Sequence, residues 1–598
     1  MGTVPPLTKY PASQYRGKVL VFGDDTRSFL ATVRSLGRQG IEVHAAPFDF
    51  LAPALASRYI SAVHWVPYYI KGGQAWLTVV RQLLETHSYD LVIPCDERAL
   101  LPLVRHRDEL GRLSRLALPD DRALDVFYDK HRTRELAQSL GVPVAPGRLL
   151  DAGDTVQGIL AEVPLPLVVK PRRSYSADNL YSRGRVRIAE NAADLTEILS
   201  SACDGTHIFE GFFPGQGVGV SVLAHQGRVL QAFQHHRVHE RGGSGYYRVS
   251  APLSKPLIEA VNRIVAAAVY TGVAMFEFKV NRETLSWILL EVNARPWGSL
   301  PLPVGLGVDF PYDWYRLLVD GVETPSHSYR VGIHARNLVP DLLGILAEAS
   351  ECWKKPRLLA GLLLRTLWEG RYLLTGREFH DVLVQDDPRP ALSEWKCLFG
   401  ELFQRLSHRL PGAQSRLRND DRAAVRSAFG KSAETPFNVV FVCQGNICRS
   451  PFAALVLQRR IASDGNRLLS SRGISMVAQS AGMLPGDGKA SPTVAVEAAE
   501  RAGINLGTHR SSHFSREVAE AANLVVIFDD KNRRWLRQRY PRLAAPVVFL
   551  GSFSDESGTD IEIADPDGAD LPTFQRTYVR IEGAVSGLLS VLHNSEKN

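Results

Sequence analysis

Five residues separate Cys443 from Arg449 in FNVVFVCQGNICRSPFAALVLQ, where an apolar strand, Asn438 to Val442, runs into a short loop and then a helix beginning near Arg449. That spacing lets the backbone N–H groups curl around one tetrahedral oxyanion while the Arg449 guanidinium grips two of its oxygens as a fork. Cys443 falls beneath the helix N-terminus. The positive field there is expected to lower the thiol pKa, so that a nucleophilic thiolate exists near neutral pH without an adjacent histidine base. A second group lies upstream. Lys170 ends the apolar run PLPLVVKP, where a lysine can neutralise phosphate groups, with Lys130 of DKHRTRELAQSLG as its companion. Glu277 stands in MFEFKVN, and Glu291, Asn293 and Arg295 in WILLEVNARPWG. Strand alternation points Glu291 and Asn293 to one sheet face, where Glu277 of a hairpin partner can join them. Oxygen ligands of this kind suit Mg2+ bridging nucleotide phosphates, with Arg295 available to a transferring phosphoryl group.

The elements that must position these groups are legible as alternating patterns. KVLVFG reads as a buried strand, Thr26 to Leu36 as a helix and IEVHAA as the next strand, an alternation that signals a parallel sheet; YDLVIPCD repeats it. SLGVPVAPG, PLPLVVKP and THIFEGF mark short strands bounded by Pro and Gly. Leu338 to Leu374 reads as an amphipathic helix pair with a packed apolar face. The polar tract Pro411 to Pro436 is the strongest boundary and reads as a linker joining two enzymes.

Length and composition agree with a multidomain protein. The chain has 598 residues, 45% hydrophobic and 22% charged, enough for large cores and too apolar for wholesale disorder. Its 70 Lys plus Arg against 63 Asp plus Glu leave +7, too small a surplus over this length to require nucleic acid. Six cysteines, irregularly placed and without a CxxC pair, fit a reducing cytosol better than a disulfide framework, so a cytoplasmic location is expected. No 18 uninterrupted apolar residues occur, and no membrane span is expected. His235, His236 and His239 fit sheet-ladder or substrate-loop roles better than metal ligation, and Arg248 is a candidate to hold a substrate carboxylate.

From Phe437 to the end the sequence resembles the low-molecular-weight protein tyrosine phosphatases, on the loop Cys443, Gln444, Gly445, Asn446, Ile447, Cys448, Arg449, Ser450, Pro451 and on the Asp565-Pro566 pair of IADPDG. The resemblance implies that Cys443 attacks phosphorus, Asp565 protonates the leaving phenolic oxygen and then acts as base for water, Ser450 eases sulfur departure and Asn446 holds the loop in its curl. It implies no cofactor for this half. It also implies that Ser480 and His509 hydrogen-bond Asn446, and that Cys448 either traps an oxidised nucleophile or is a small buried residue. Thioredoxin-linked arsenate reductases of this fold use a further downstream cysteine, which is absent after Cys448. Ile447 stands where related phosphoarginine phosphatases carry threonine, favouring a phosphotyrosine protein or a small aryl phosphate. Asp567 and Gly568 replace the aromatics that the family commonly places after the Asp-Pro pair.

From about Lys18 to Gly321 the motif order resembles the ATP-grasp superfamily of carboxylate-amine ligases. The resemblance implies ATP and Mg2+ as cofactors, small carboxylate and amine substrates, and an acyl phosphate as the activated species. It places Glu210 of HIFEGFF at the hinge strand that contacts adenine and ribose, and it leads to a glycine-rich flap after Lys170, where PRRSYSADNLYSRGR holds only Gly184. The expected α/β organisation is then a Rossmann-like pre-ATP-grasp domain at 17–115, a two-lobed ATP-grasp α+β domain at 116–330, a helical extension at 331–410, a linker at 411–436 and a parallel-sheet α/β phosphatase domain at 437–598. The two halves read as a bifunctional fusion. An alternative is a phosphatase governed by a catalytically inactive ATP-binding sensor; a third is a phosphatase acting on a small intermediate made by the ligase half.

Overall fold

Apolar runs without a polar face need cover on both sides, and KVLVF supplies one as β1 (Gly17–Phe22), whose Val19, Leu20 and Val21 are fully buried. The computed structural model describes residues 15–594 except 50, 68, 70–72, 176–179, 181–183, 185, 202–204, 242, 353–354, 408–412, 432–435, 464–474, 485–487, 541 and 555–559. Around β1 lie β2 (Ile41–Ala46), β3 (Ile60–Val63), β4 (Leu91–Pro94) and β5 (Arg115–Leu116), forming a parallel sheet of order β3-β2-β1-β4-β5. The chain divides into two compact units at Cys397/Leu398, with Pro67–Trp76 grouped with the second.

The first unit adds two further sheets. Strands β6 (Gly147–Leu149), β7 (Leu167–Pro171), β8 (Arg187–Ala189) and β9 (His207–Gly211) pair antiparallel in the order β6-β9-β7-β8. The larger sheet contains β10 (Gln216–His225), β11 (Arg228–Arg241), β12 (Ser244–Ala251), β13 (Gly272–Val280), β14 (Trp287–Asn293), β15 (His334–Arg336) and β16 (Glu378–His380), in the order β14-β13-β10-β11-β12-β15-β16. It is antiparallel apart from the β15–β16 pair. The segment expected as a helical extension at 331–410 carries, besides its helices, β15 and β16, which complete this sheet.

The helices Leu338–Cys352 and Pro356–Leu374 also depart from the expected packed apolar face. Leu363, Leu364, Leu367 and Trp368 are 57%, 67%, 74% and 66% exposed. The pair buries charge instead: Asp341 and Glu369 hold the two nitrogens of His239 at 2.8 and 2.9 Å, and Asp341 also pairs with Arg336. This turns the leucines outward, and the two carboxylates, outweighing burial, raise the His239 pKa to about 9. Among the described residues no helix is long and apolar enough to cross a membrane.

The second unit is built on β17 (Phe437–Cys443), β18 (Met476–Gly482), β19 (Leu524–Ile527) and β20 (Val547–Phe549), all parallel, in the order β18-β17-β19-β20. The expected linker at 411–436 is instead largely a helix, Ala413–Lys431, packed into this unit. Its burial runs along a single stripe four residues apart: Leu417, Asp421, Val425 and Phe429. Phe429 meets the Phe437 ring edge-on at 5.2 Å, and buried Asp421 accepts hydrogen bonds from the Phe549 N–H at 3.1 Å and from the Ser552 hydroxyl. A stripe with one acid and three apolar residues is too narrow to stand out from a charged sequence, yet it contributes to the core.

Candidate active site and a second polar pocket

Cys443 is the last residue of β17, the strand flanked by β18 and β19, and so stands at the carboxyl end of a parallel sheet where ligands bind in such folds. The loop then tightens. Asn446 takes the left-handed conformation with φ 51°, which asparagine tolerates better than bulkier residues. Gly482 gives it room, since a Cβ there would lie 3.1 Å from Asn446 Cβ. Buried Asn446 is pinned on three sides: Ser512 N–H donates to its Oδ1 at 2.8 Å, its Nδ2 donates to Ser450 Oγ at 2.9 Å, and His509 Nε2 donates to its carbonyl at 2.8 Å. Ser480 is corrected here. Its carbonyl accepts from the Ser512 hydroxyl at 3.0 Å, and the bond to the asparagine oxygen comes from the Ser512 backbone.

These bonds converge on sulfur. Asn446 N–H points to Cys443 Sγ at 3.3 Å and Ser450 Oγ lies 3.0 Å from it. Because Ser450 Oγ already accepts from Asn446, its proton can turn between the Ala481 carbonyl at 3.4 Å and a sulfur anion at 3.0 Å. Arg449, almost wholly buried at the start of the helix Arg449–Ser463, donates through Nη1 to Asp529 Oδ2 at 2.7 Å and the Ile563 carbonyl at 2.8 Å, and through Nη2 to Asp565 Oδ2 at 2.6 Å. Its Nε–H is buried without a hydrogen-bond partner. The structure thus joins Cys443, Asn446 and Ser450 in one hydrogen-bonded set and Arg449 and Asp565 in another, near enough that both of these charges act on the Cys443 thiol.

The expected lowering of the Cys443 pKa is corrected by the same geometry. Burial pushes the thiol up, Arg449 pulls it down, and Asp565 pushes it up again; the result lies above the ordinary cysteine value. The guanidinium is already shared between two carboxylates, so its field at sulfur is partly cancelled. Cys448 is also buried, and burial together with Asp567 and Asp565 drives its thiol well above the usual range. Asp529 was not legible as a site residue, although an acid directly after the strand LVVIF, beside β17, is a usable signal.

In the first unit the expected residues form a second network. Glu277 on β13 and Glu291 on β14 stand directly opposite each other, with a bulge just after Glu277. Asn293 Nδ2 reaches Glu277 Oε1 at 3.3 Å and Glu291 Oε1 at 3.5 Å. Lys130 Nζ bonds Ser174 Oγ at 3.0 Å and lies 3.7 Å from Glu291 Oε2. Arg295 donates to Glu97 Oε1 at 2.7 Å and leaves its buried Nε–H unpartnered. Lys130, Ser174, Glu291, Asn293, Arg295 and Glu97 line one pocket. Burial, reinforced by neighbouring Glu291, raises the Glu277 carboxyl despite Arg237 at 2.6 Å. Two carboxylates and an amide oxygen confined in this way fit a hard divalent cation.

Lys170 and Glu210, expected to meet different parts of a nucleotide, meet each other. Lys170 Nζ donates to Glu210 Oε1 at 2.7 Å and to the Leu290 carbonyl at 3.4 Å, and Arg134 lies 3.5 Å from the other Glu210 oxygen. Asp129 was missed: fully buried, it caps the helix Lys130–Ser139 at the N–H groups of His131 and Arg132 and holds Arg172 Nε at 2.6 Å, which fixes Lys130. The expected substrate role of Arg248 is corrected, since it is fully buried and bonded through Nη2 to both oxygens of Asp381. Most of the expected flap after Lys170 lies outside the described residues.

Comparison with known proteins gives the two units different standing. For the first unit, solved structures similar in fold include biotin carboxylase from Campylobacter jejuni in complex with β,γ-ATP, at 19% identity and TM-score 0.43 over 54% of this chain and 75% of that one. For the second, the chain is 32% identical over 160 residues to a low molecular weight protein-tyrosine-phosphatase of Streptomyces coelicolor, covering 26% of this chain and 93% of that protein. It is 34% identical over 163 residues to low molecular weight protein-tyrosine phosphatase A of Mycobacterium tuberculosis, covering 26% and 90%. It is 29% identical over 161 residues to a protein-arginine-phosphatase of Geobacillus stearothermophilus, covering 27% and 99%. Residues 438–598 match the low molecular weight phosphotyrosine protein phosphatases, and through this domain the chain belongs to that family.

Proposed function

We propose that the C-terminal domain hydrolyses phosphotyrosine or another aryl phosphate through a phosphocysteine. The observation that carries the reading is the set of donors around Cys443 Sγ, with Asn446 N–H at 3.3 Å and Ser450 Oγ at 3.0 Å, beside the Arg449 guanidinium. As substrate binds, the Cys443 thiol gives its proton to the Asp565 carboxylate; Sγ then attacks phosphorus as a thiolate, the S–P bond forms as the P–O bond breaks, and the electron pair goes to the leaving oxygen, which takes that proton back from Asp565. Water then attacks phosphorus and gives its proton to Asp565. Sγ leaves as a thiolate that the Ser450 hydroxyl and the Asn446 N–H stabilise. Arg449 exchanges its internal carboxylate for the substrate phosphoryl group, which frees Asp565 to meet the leaving oxygen. Apolar, buried Ile447 in the loop supports an aryl substrate.

The pH dependence of Cys443 reactivity tests this exchange. Asp565 opposes the thiolate, so Asp565→Asn moves the midpoint of Cys443 alkylation by iodoacetamide to lower pH. An unchanged midpoint, or one moved upward, contradicts the assigned electrostatics.

For the N-terminal unit we infer an ATP-grasp-like module that binds Mg2+ and ATP and acts as a carboxylate-amine ligase. Glu277, Glu291 and Asn293 would hold the ion, which when bound neutralises nucleotide phosphate charge. Lys130, Lys170 and Arg295 orient the phosphates, and Glu210 keeps Lys170 extended at the end of β7. Loss of one charge-assisted contact costs about 1.5–3 kcal/mol, so Lys170→Ala weakens MgATP binding roughly 10- to 100-fold by calorimetry. Wild-type protein that gives no heat with MgATP contradicts the reading.

One observation favours a nucleotide sensor without turnover: Lys170 pairs with Glu210, Lys130 with Glu291 and Arg295 with Glu97, so each expected phosphate contact already has an internal carboxylate. ADP release against a panel of carboxylates and amines separates the two, because a sensor releases none.

A further inference from the structure

Three imidazoles converge in the first unit at a place that none of the chemistry above uses. His44 lies on β2, His64 follows β3 directly, and His87 ends the helix Gln74–His87. A ring nitrogen of each lies within 4.8 Å of the others. His64 Nε2 is 2.9 Å from His44 Nδ1, and the hydroxyl of buried Tyr89 is 2.8 Å from the same nitrogen. The opposite nitrogen of His44, Nε2, faces Glu42 Oε1 at 3.1 Å, while Glu42 Oε2 pairs with Lys18 at 3.2 Å.

The orientation of His44 is informative. Glu42 and His44 stand two apart on β2 and share a face of the strand. A carboxylate on Nε2 fixes the proton there and leaves the Nδ1 lone pair facing His64 Nε2 and the Tyr89 hydroxyl, with His87 a few ångströms away. Histidines that ligate metals are held in this way by a carboxylate on the far nitrogen. His44 is buried while His64 and His87 are partly exposed, which leaves a path from solvent.

We propose that His44 Nδ1, His64 and His87 form a binding site for a divalent transition-metal ion, Zn2+ foremost, with Tyr89 beside the fourth position and Glu42 as the positioning carboxylate. Three neutral imidazoles suit Zn2+ and its neighbours and not Mg2+, which takes oxygen ligands. Tetrahedral zinc needs its nitrogen ligands roughly 3.3 Å apart, inside the span these rings already cover. The ion would join edge strand β3 to β2 and to the helix carrying His87.

The test uses the full chain stripped of metal and titrated with Co2+, a spectroscopic stand-in for zinc. The expected result is the intense visible absorption of four-coordinate Co2+ at one equivalent, erased by added Zn2+. His64→Ala and His87→Ala each abolish the band, and Glu42→Gln weakens Co2+ binding about 10- to 100-fold. Far-UV circular dichroism and the thermal unfolding profile of the apo chain stay unchanged in all three variants and report that the first unit is intact. No tetrahedral band in the wild-type chain, or the same band in the doubly substituted His64→Ala, His87→Ala chain, overturns the proposal.

Discussion

Cys443→Ser lowers the turnover of aryl phosphates by at least about 10^4-fold while leaving phosphate binding in place. The substitution exchanges one atom in a site where Asn446 N–H and Ser450 Oγ already surround the side chain, so the loop retains its bonds from Ser512 and His509. What changes is the nucleophile. A serine hydroxyl is far harder to ionise than a thiol. The loss therefore falls on kcat, and inhibition by inorganic phosphate persists in the variant. Wild-type turnover in Cys443→Ser, measured with p-nitrophenyl phosphate, contradicts the assignment.

Asp565→Ala separates the substrates by their leaving groups. A general acid contributes about 10^2- to 10^4-fold where the leaving oxygen needs a proton, so phosphotyrosine and phenyl phosphate slow by that order. p-Nitrophenyl phosphate slows much less, because its leaving group departs readily as an anion. The 2.6 Å bond from Arg449 Nη2 to Asp565 adds a second signature. Removing the carboxylate frees one arm of the guanidinium for phosphate, so KM does not rise as kcat falls. Equal slowing of both kinds of substrate, or a raised KM with kcat unchanged, contradicts the role of Asp565.

The catalytic loop was legible because its chemistry is local. Cys443, Asn446, Arg449 and Ser450 occupy eight consecutive positions between a strand and a helix, and their spacing already implies a cradle. The electrostatics were less legible, since the upward Cys443 shift comes first from burial of the thiol, against the pull of Arg449, and then from Asp565, which reaches the loop from a distant segment. The Glu277, Glu291 and Asn293 group was readable from strand alternation, whereas the pairing of Lys170 with Glu210 arises from two antiparallel neighbouring strands that set them diagonally, Lys170 opposite Ile208 and Glu210 opposite Val168.

Two misreadings share a physical cause. The helix Ala413–Lys431 buries one residue in four along a polar sequence, and Leu338 to Leu374 buries acids while exposing leucines. In both, composition pointed one way and tertiary ion pairs or a narrow stripe decided the other. The histidine cluster joins positions 44, 64 and 87, which share no local pattern, and only the parallel sheet and its helix bring them together.

The central claim is that phosphorus passes through Cys443 Sγ. It is tested most directly by acid-quenching the full chain during turnover of a phosphotyrosine peptide and mapping any phosphoryl adduct by mass spectrometry, with Ser450→Ala used to slow breakdown of the intermediate. The account predicts an adduct on Cys443 that accumulates in Ser450→Ala and is absent from Cys443→Ser. An adduct on a different residue, or turnover with none on Cys443 in the slowed variant, contradicts it.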